Sequence, residues 1–169
     1  MKKIFLFSIL ALSIMSCRKK TDDSTTTTTT DPNSFENRIV GTWDLTDVDY
    51  DTELPSIIPG QPPTQLSGSA ESVTGNFIIN SNPNTISYDY SFDVSINGIG
   101  TIPISTQESG TWTLSSDETI IFMQLDNGET SQLKILEDTD SRQKYETTVT
   151  EAAPIVGDID ILTVITMTK

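Results

Sequence analysis

Cys17 is the single cysteine in a chain that has no histidine, and its surroundings state its chemistry more plainly than those of any other residue. Lys2 and Lys3 precede an apolar run from Ile4 to Met15, Ser16 follows, and then comes the thiol. A charged start, an apolar stretch and a small residue at the cut are the layout of a secretory signal, here with Cys17 as the first residue kept. The run is too short to cross a bilayer, which takes about 20 apolar residues, and Arg18, Lys19 and Lys20 follow at once. An unpaired thiol in an exported protein needs an explanation. Acylation of the sulfur supplies one.

Elsewhere the chemistry-bearing residues are carboxylates and hydroxyls. Without histidine or a second cysteine, the commonest general base, the thiolate nucleophile and the usual zinc or copper ligands are missing. The serines sit in turns, with no Gly-x-Ser-x-Gly elbow and no base beside them. Paired carboxylates are the remaining route to catalysis, as in glycoside hydrolysis, but acids scattered over the whole domain form pairs by coincidence. Asp47, Asp49, Asp51 and Glu53 alternate along one strand and offer oxygen ligands, yet the spacing matches no calcium loop and reads as a solvated face. The expectation is a protein that is not an enzyme and carries neither metal nor cofactor.

Ile14-Met15-Ser16-Cys17 resembles the lipobox of bacterial lipoproteins. The resemblance implies a diacylglycerol thioether on Cys17, and the two or three acyl chains it brings hold a protein stably on a membrane without crossing it. Residues 1–16 are then the signal peptide, and 17–34 the lipidated cysteine with a disordered tether. That tether contains the unbroken run Thr25 to Thr30 and no large apolar residue, so nothing in it offsets the entropy of ordering. Extended at about 3.1 Å per residue, it reaches roughly 50 Å from the lipid. Arg18 stands where an Asp signals inner-membrane retention in many bacteria, which favours the outer membrane. Lys20-Thr21-Asp22-Asp23 resembles the basic-then-acidic signal that sends some lipoproteins to the outer face of the cell.

Residues 35–169 are one domain's worth of chain, enough for one sound core. All the acids but Asp22, Asp23 and Asp31 lie here, against Arg38, Lys134, Arg142, Lys144 and Lys169, in a chain whose formal net charge is −14. Such a surface repels nucleic-acid phosphates and anionic lipid head groups, which excludes nucleic acid as a partner.

Apolar periodicity in this domain is two. Ile86, Tyr88, Tyr90, Phe92, Val94 and Ile96 take the even positions while Ser87, Asp89, Ser91, Asp93, Ser95 and Asn97 take the odd ones, a long half-buried strand. Val73, Phe77 and Ile79, then Trp112 and Leu114, Leu133 and Ile135, and Tyr145, Thr147 and Val149 repeat the rule on shorter scales. Turn signals separate them at Asn80 to Asn84, Asn97-Gly98, Ser115 to Asp117, Asp126 to Gly128 and Glu137 to Asp140. Helical spacing is confined to a short turn near Ser34 to Ile39. Eight or nine strands joined mostly by tight turns form an antiparallel meander, closed as a barrel or folded as a sandwich.

Three irregularities carry expectations. Trp43 and Leu45 are odd while Val48 and Tyr50 are even, so a β-bulge near Thr46 or Asp47 must keep one face inward. Ile120 to Leu125 and Ile161 to Met167 are apolar on both faces, and their outer faces need cover, from the chain itself by expectation or from a second copy or partner. Asp51 to Glu71, with Pro55, Pro59, Gly60, Pro62, Pro63 and Gly68, reads as a long irregular loop whose Leu54, Ile57, Ile58 and Leu66 lie over a cavity mouth or a sheet face.

Ile39-Val40-Gly41-Thr42-Trp43-Asp44-Leu45-Thr46 resembles the first strand of the lipocalin-like domains of bacterial lipoproteins, with their Gly-x-Trp motif. Gly110-Thr111-Trp112-Thr113-Leu114-Ser115, followed by Thr119 to Phe122, is similar to that family's mid-domain hairpin. The resemblance runs from Arg38 to Lys169 and implies an all-β, up-and-down antiparallel barrel with an apolar cavity. Lipocalins commonly set a late Arg over the Trp; this chain has no Arg after Val149, leaving Arg142 as the substitute.

Two functions follow. In one, Trp43, Phe77, Tyr88, Tyr90, Phe92 and Trp112 line a pocket for a small, mostly apolar ligand. In the other, the same rings fill a tight core and the lipoprotein acts through its outer surface at the cell envelope. A cavity above about 300 Å³ separates the first from the second.

Overall fold

The computed structural model describes residues 34–56, 60–96, 100–153 and 157–169. A one-turn helix α1 (Phe35–Ile39) leads into nine strands: β1 (Gly41–Leu54), β2 (Thr64–Ser69), β3 (Glu71–Asn80), β4 (Thr85–Ile96), β5 (Gly100–Leu114), β6 (Ile120–Leu125), β7 (Thr130–Asp138), β8 (Arg142–Ala153) and β9 (Gly157–Thr168). All pairings are antiparallel between sequence neighbours, except that β3 as well as β2 pairs with β1, and β9 returns to β1 to close the ring. β2 and β3 share one edge of β1: Asp49 to Leu54 face β2 and Gly41 to Asp44 face β3. The two act as one bent wall, which makes an eight-walled up-and-down barrel.

Alternation becomes inside and outside as the pleat demands. Ile86, Tyr88, Tyr90, Phe92, Val94 and Ile96 are all buried, and they share one core with residues from every strand except the mostly exposed β2. The expected bulge falls between Leu45 and Asp47, where the β1–β9 register shifts. Thr46 and Asp47 are exposed in succession, and Trp43, Leu45, Val48 and Tyr50 all point inward. Thr46 Oγ1 donates to the Thr166 carbonyl at 3.2 Å, so the bulge is tied across the seam that closes the barrel.

One end of the barrel carries the β3–β4, β5–β6 and β7–β8 turns and is stopped by α1. Ser34 caps the helix, its Oγ accepting from Asn37 N at 3.4 Å, and Phe35 and Ile39 turn inward. Trp43 Nε1 donates to the Ile39 carbonyl at 2.7 Å. Arg38 is held over the rim by Asp138, with Nε 2.8 Å from Oδ2; that contact, ahead of all else, raises the already high guanidinium pKa.

The cation over Trp43 is Lys169. Its Nζ lies 4.2 Å from the ring centroid and donates to the carbonyls of Arg38 and Val40 at 3.2 and 3.0 Å. Arg142, the substitute expected from sequence, faces Glu137 instead, at 3.6 Å. It stands at the start of β8, directed to the outside, whereas Lys169 directly follows β9, the strand that seals against β1.

The expected long loop after Asp51 is mostly strand. β1 continues to Leu54 and β2 returns along it, with Asp51 opposite Ser67 and Thr52 opposite Leu66. Side chains knit the ribbon: Ser69 Oγ donates to Asp49 at 2.8 Å and the Gln65 amide to Asp51. Two of the four alternating acids, Asp49 and Asp51, are thus hydrogen-bonded across a hairpin. Ile57 and Ile58 lie outside the described residues. The outer face is covered in part: Ile120 and Val164 are half-buried and Thr166 is buried, whereas Phe122 is 44% and Leu162 40% exposed.

At the opposite end the hairpins differ in length. β4–β5 and β8–β9 run on, and Tyr50 Oη donates to the Ser95 carbonyl at 3.0 Å while Thr52 Oγ1 donates to that of Asp160 at 2.8 Å, tying both to β1. The β6–β7 hairpin stops short at Asp126 to Glu129. The β7–β8 ladder starts only at Lys134 and Glu146, so Thr130 to Leu133 pair with β6 alone and Thr147 to Ala153 with β9 alone. The wall is split there. Thr147 Oγ1 bridges the margin to the Gln132 carbonyl at 3.0 Å.

Candidate functional site

Through this split opens a pocket of about 470 Å³. Inward-facing positions of β3, β4, β5, β6, β8 and β9 line it, as does the start of β7. Its floor is aromatic. Phe77 lies 5.2 Å from Tyr88 and 5.5 Å from Tyr90 between centroids, and the tyrosines are 5.7 Å apart. The rings are near parallel, between 12° and 29° apart, an offset stack of the favourable kind. The geometry follows from period two: Tyr88 and Tyr90 are alternate residues of β4, and Phe77 pairs directly with Tyr88 on β3. Met123, Leu125, Leu133, Val149 and Ile165 give the apolar walls.

The mouth is polar. Thr106 and Glu108 come from β5, Glu129 and Ser131 from the β6–β7 turn and β7, and Thr147 to Thr150 from β8. Glu108 stands opposite Tyr88 in the β4–β5 register. Asn127 Nδ2 lies 3.3 Å from Oε1 of Glu108 and 3.3 Å from Oε2 of Glu129, so one amide holds both carboxylates at the rim. Asn127 is itself fixed by its turn, its Oδ1 accepting from Glu129 N at 2.8 Å.

Electrostatics match this layout. Burial raises the Tyr88 phenol pKa well above its ordinary value, and the charges of Glu108 and Glu129 push it further up. Tyr90 is also raised by burial, with the Thr106 hydroxyl acting the other way. Both phenols are neutral donors at physiological pH.

Of the six rings named from sequence, Phe77, Tyr88 and Tyr90 line this pocket and the other three do not. Phe92 stacks on Tyr90 at 6.0 Å, fully inside the core. Trp43 is enclosed beneath Lys169. Trp112 sits at the closed end, Nε1 donating to the Asn80 carbonyl at 3.0 Å. Both indoles need a partner for their N–H when buried, and each finds a backbone carbonyl away from the split, Trp43 at the end of α1 and Trp112 at the end of β3. Cys17 lies outside the described residues.

Sequence reasoning missed Glu108, Glu129 and Thr106. The signal was there: Ile102 and Ile104 share even parity with Trp112, so one continuous strand puts Thr106 and Glu108 inside. Among the described residues no group of three or more acids, histidines or cysteines is placed to hold a metal ion.

A second concavity lies on the outer face of β5, β6 and β7, where Thr111, Thr113, Gln124, Thr130 and Gln132 surround Phe122. It is an open groove of about 660 Å³ with the Phe122 ring among hydroxyl and amide side chains.

A family model described as a lipocalin-like domain matches residues 39–145, from the end of α1 to the middle of β8. Comparison with curated proteins finds no match.

Proposed function

The chain belongs to the lipocalin-like domain family, and from that premise we propose that its barrel is a binding module for a small, mostly apolar molecule. The supporting observation is the pocket of about 470 Å³ floored by Phe77, Tyr88 and Tyr90. A cavity of that size suits a compact ring system or short chain. Pre-stacked rings lose little freedom on binding, so more of the contact energy is realised as affinity. Holding rather than converting the molecule is the role in this reading, since the chain lacks histidine and its only cysteine lies before the domain.

Residues 34–169 contain every described element, one shared core and the seam that closes the barrel, so they form a folding unit by themselves. Native mass spectrometry of this domain, purified from its native host without detergent, tests the reading. A retained small molecule, released by mild organic solvent and lost on filling the pocket, is the expected result. A clean apo domain that takes up no apolar aromatic probe overturns it.

The outer surface supports a second reading, an interaction subunit at the cell envelope, because Phe122 and Leu162 stand exposed. Under that reading Phe122→Ser abolishes assembly, and filling the pocket has no effect.

Attachment to the outer membrane through lipid on Cys17 completes the proposal. Its support is the run Lys2 to Cys17 followed by the threonine-rich stretch. Metabolic labelling with palmitate checks it: label on the wild-type chain and none on Cys17→Ser is expected, and equal labelling of both contradicts it.

A further inference from the structure

Resting on the pocket reading, we infer that the molecule held is a cationic amphiphile: a flat apolar body lying on Phe77, Tyr88 and Tyr90, with an organic ammonium group seated between Glu108 and Glu129. Two like charges brought to one amide nitrogen repel each other, and nothing in the fold requires them there. The ion pairs among the described residues, Arg38–Asp138, Lys134–Glu146 and Arg142–Glu137, reach neither. Asn127 is neutral and holds the pair in place without balancing it.

Tyr88 provides an independent observation. It is only 8% exposed, it lines the pocket, and its hydroxyl makes no hydrogen bond among the described residues. Its hydroxyl is open to the pocket and not shut away from solvent, so a ligand that displaces water there must supply a partner for it. It faces the pocket beneath the two carboxylates, where a ligand's polar end would meet it. The phenol accepts from an N–H through its oxygen lone pairs, its ring face attracts a cation, and the carboxylates accept the remaining ammonium protons.

An anionic ligand is disfavoured by the same two charges and by the acidity of the whole domain, which draws cations toward the split. A purely apolar ligand that displaces water from the pocket offers the Tyr88 hydroxyl no partner.

Three indoles with one ring system separate the cases: tryptamine, uncharged 3-ethylindole and indole-3-propionate, titrated calorimetrically into residues 34–169. The expected order is tryptamine about tenfold tighter than 3-ethylindole, the scale of one charge-assisted hydrogen bond, and indole-3-propionate weakest. The double variant Glu108→Gln, Glu129→Gln is expected to remove tryptamine's advantage over 3-ethylindole. Tryptamine binding should also weaken with added sodium chloride while that of 3-ethylindole does not. Equal binding of tryptamine and 3-ethylindole overturns the cation inference and leaves the pocket standing. Binding of none of the three, with near-ultraviolet circular dichroism confirming a folded domain, overturns both.

Discussion

Lys169 sits on Trp43 as a lid, with Nζ 4.2 Å from the ring centroid and bonded to the carbonyls of Arg38 and Val40. The contact joins the residue after β9 to the start of β1, and so locks the seam that makes the sheet a barrel. It also neutralises two carbonyls at the end of α1, where a cation is favoured.

Lys169→Met keeps the apolar stem and removes the charge. Loss of the cation–π contact and the bonds to the carbonyls should cost about 1 kcal/mol in urea unfolding, and Lys169→Arg should retain most of it. An unchanged midpoint in Lys169→Met contradicts a locking role.

Gly110 is pressed against β6: a Cβ there would stand 2.2 Å from the Gln124 carbonyl oxygen and 2.9 Å from Leu125 Cα. Both are backbone atoms of the paired strand, so Gly110→Ala must break the ladder beside Trp112, at a cost of about 3 kcal/mol. Ser109→Ala, next to it but facing outward, should cost under about 1 kcal/mol. Similar unfolding midpoints for the two variants would show that the sheet yields more easily than this geometry allows.

Burial raises the phenol pKa of Tyr88, Tyr90 and Tyr145. With the folded-state values raised, the unfolded chain loses these protons first, so their contribution is complete below about pH 10 and declines as pH climbs beyond it. Urea midpoints should therefore hold from about pH 8 to 9.5 and fall toward pH 11, with phenolate absorbance from these rings appearing as the protein unfolds. Tyr145→Phe should flatten that fall. Phenolate absorbance from all the tyrosines in the still-folded protein is the contrary outcome.

Val149 is half-buried on the β8 side of the split and lines the pocket. Val149→Trp should occupy the cavity, leave the far-ultraviolet circular dichroism as it was, and reduce affinity for 3-ethylindole at least about tenfold. Phe122→Ser, on the outer face, should leave that affinity unaltered. The reverse pattern assigns binding to the outer groove.

Where side chains alternate strongly, the sequence is enough. β4 could be read residue by residue because every second position is apolar, and the Trp43–Leu45 to Val48–Tyr50 phase change could only be a bulge if all four share a face. β2 escaped because Thr64 to Ser69 is almost wholly exposed; its pairing comes from the free edge of β1, a tertiary cause with no trace in local periodicity. The pocket was half legible for a related reason. Aromatic residues announce a core, but which of them face empty space depends on where the β7–β8 ladder stops, and that is set by hairpin lengths. Glu108 lies on β5 and Glu129 in the short β6–β7 turn, and they meet only through Asn127 of that turn. Lys169 over Trp43 depends on the register of the closing seam.

The most direct test is the solution-state contact between 3-ethylindole and the folded domain, read as intermolecular nuclear Overhauser effects. Cross-peaks from the ligand to the ring protons of Tyr88 and Tyr90 and the methyls of Leu125 and Val149, with none to Phe122, are predicted. Cross-peaks confined to Phe122 or Leu162, or none at all with ligand in excess, would contradict an interior binding site.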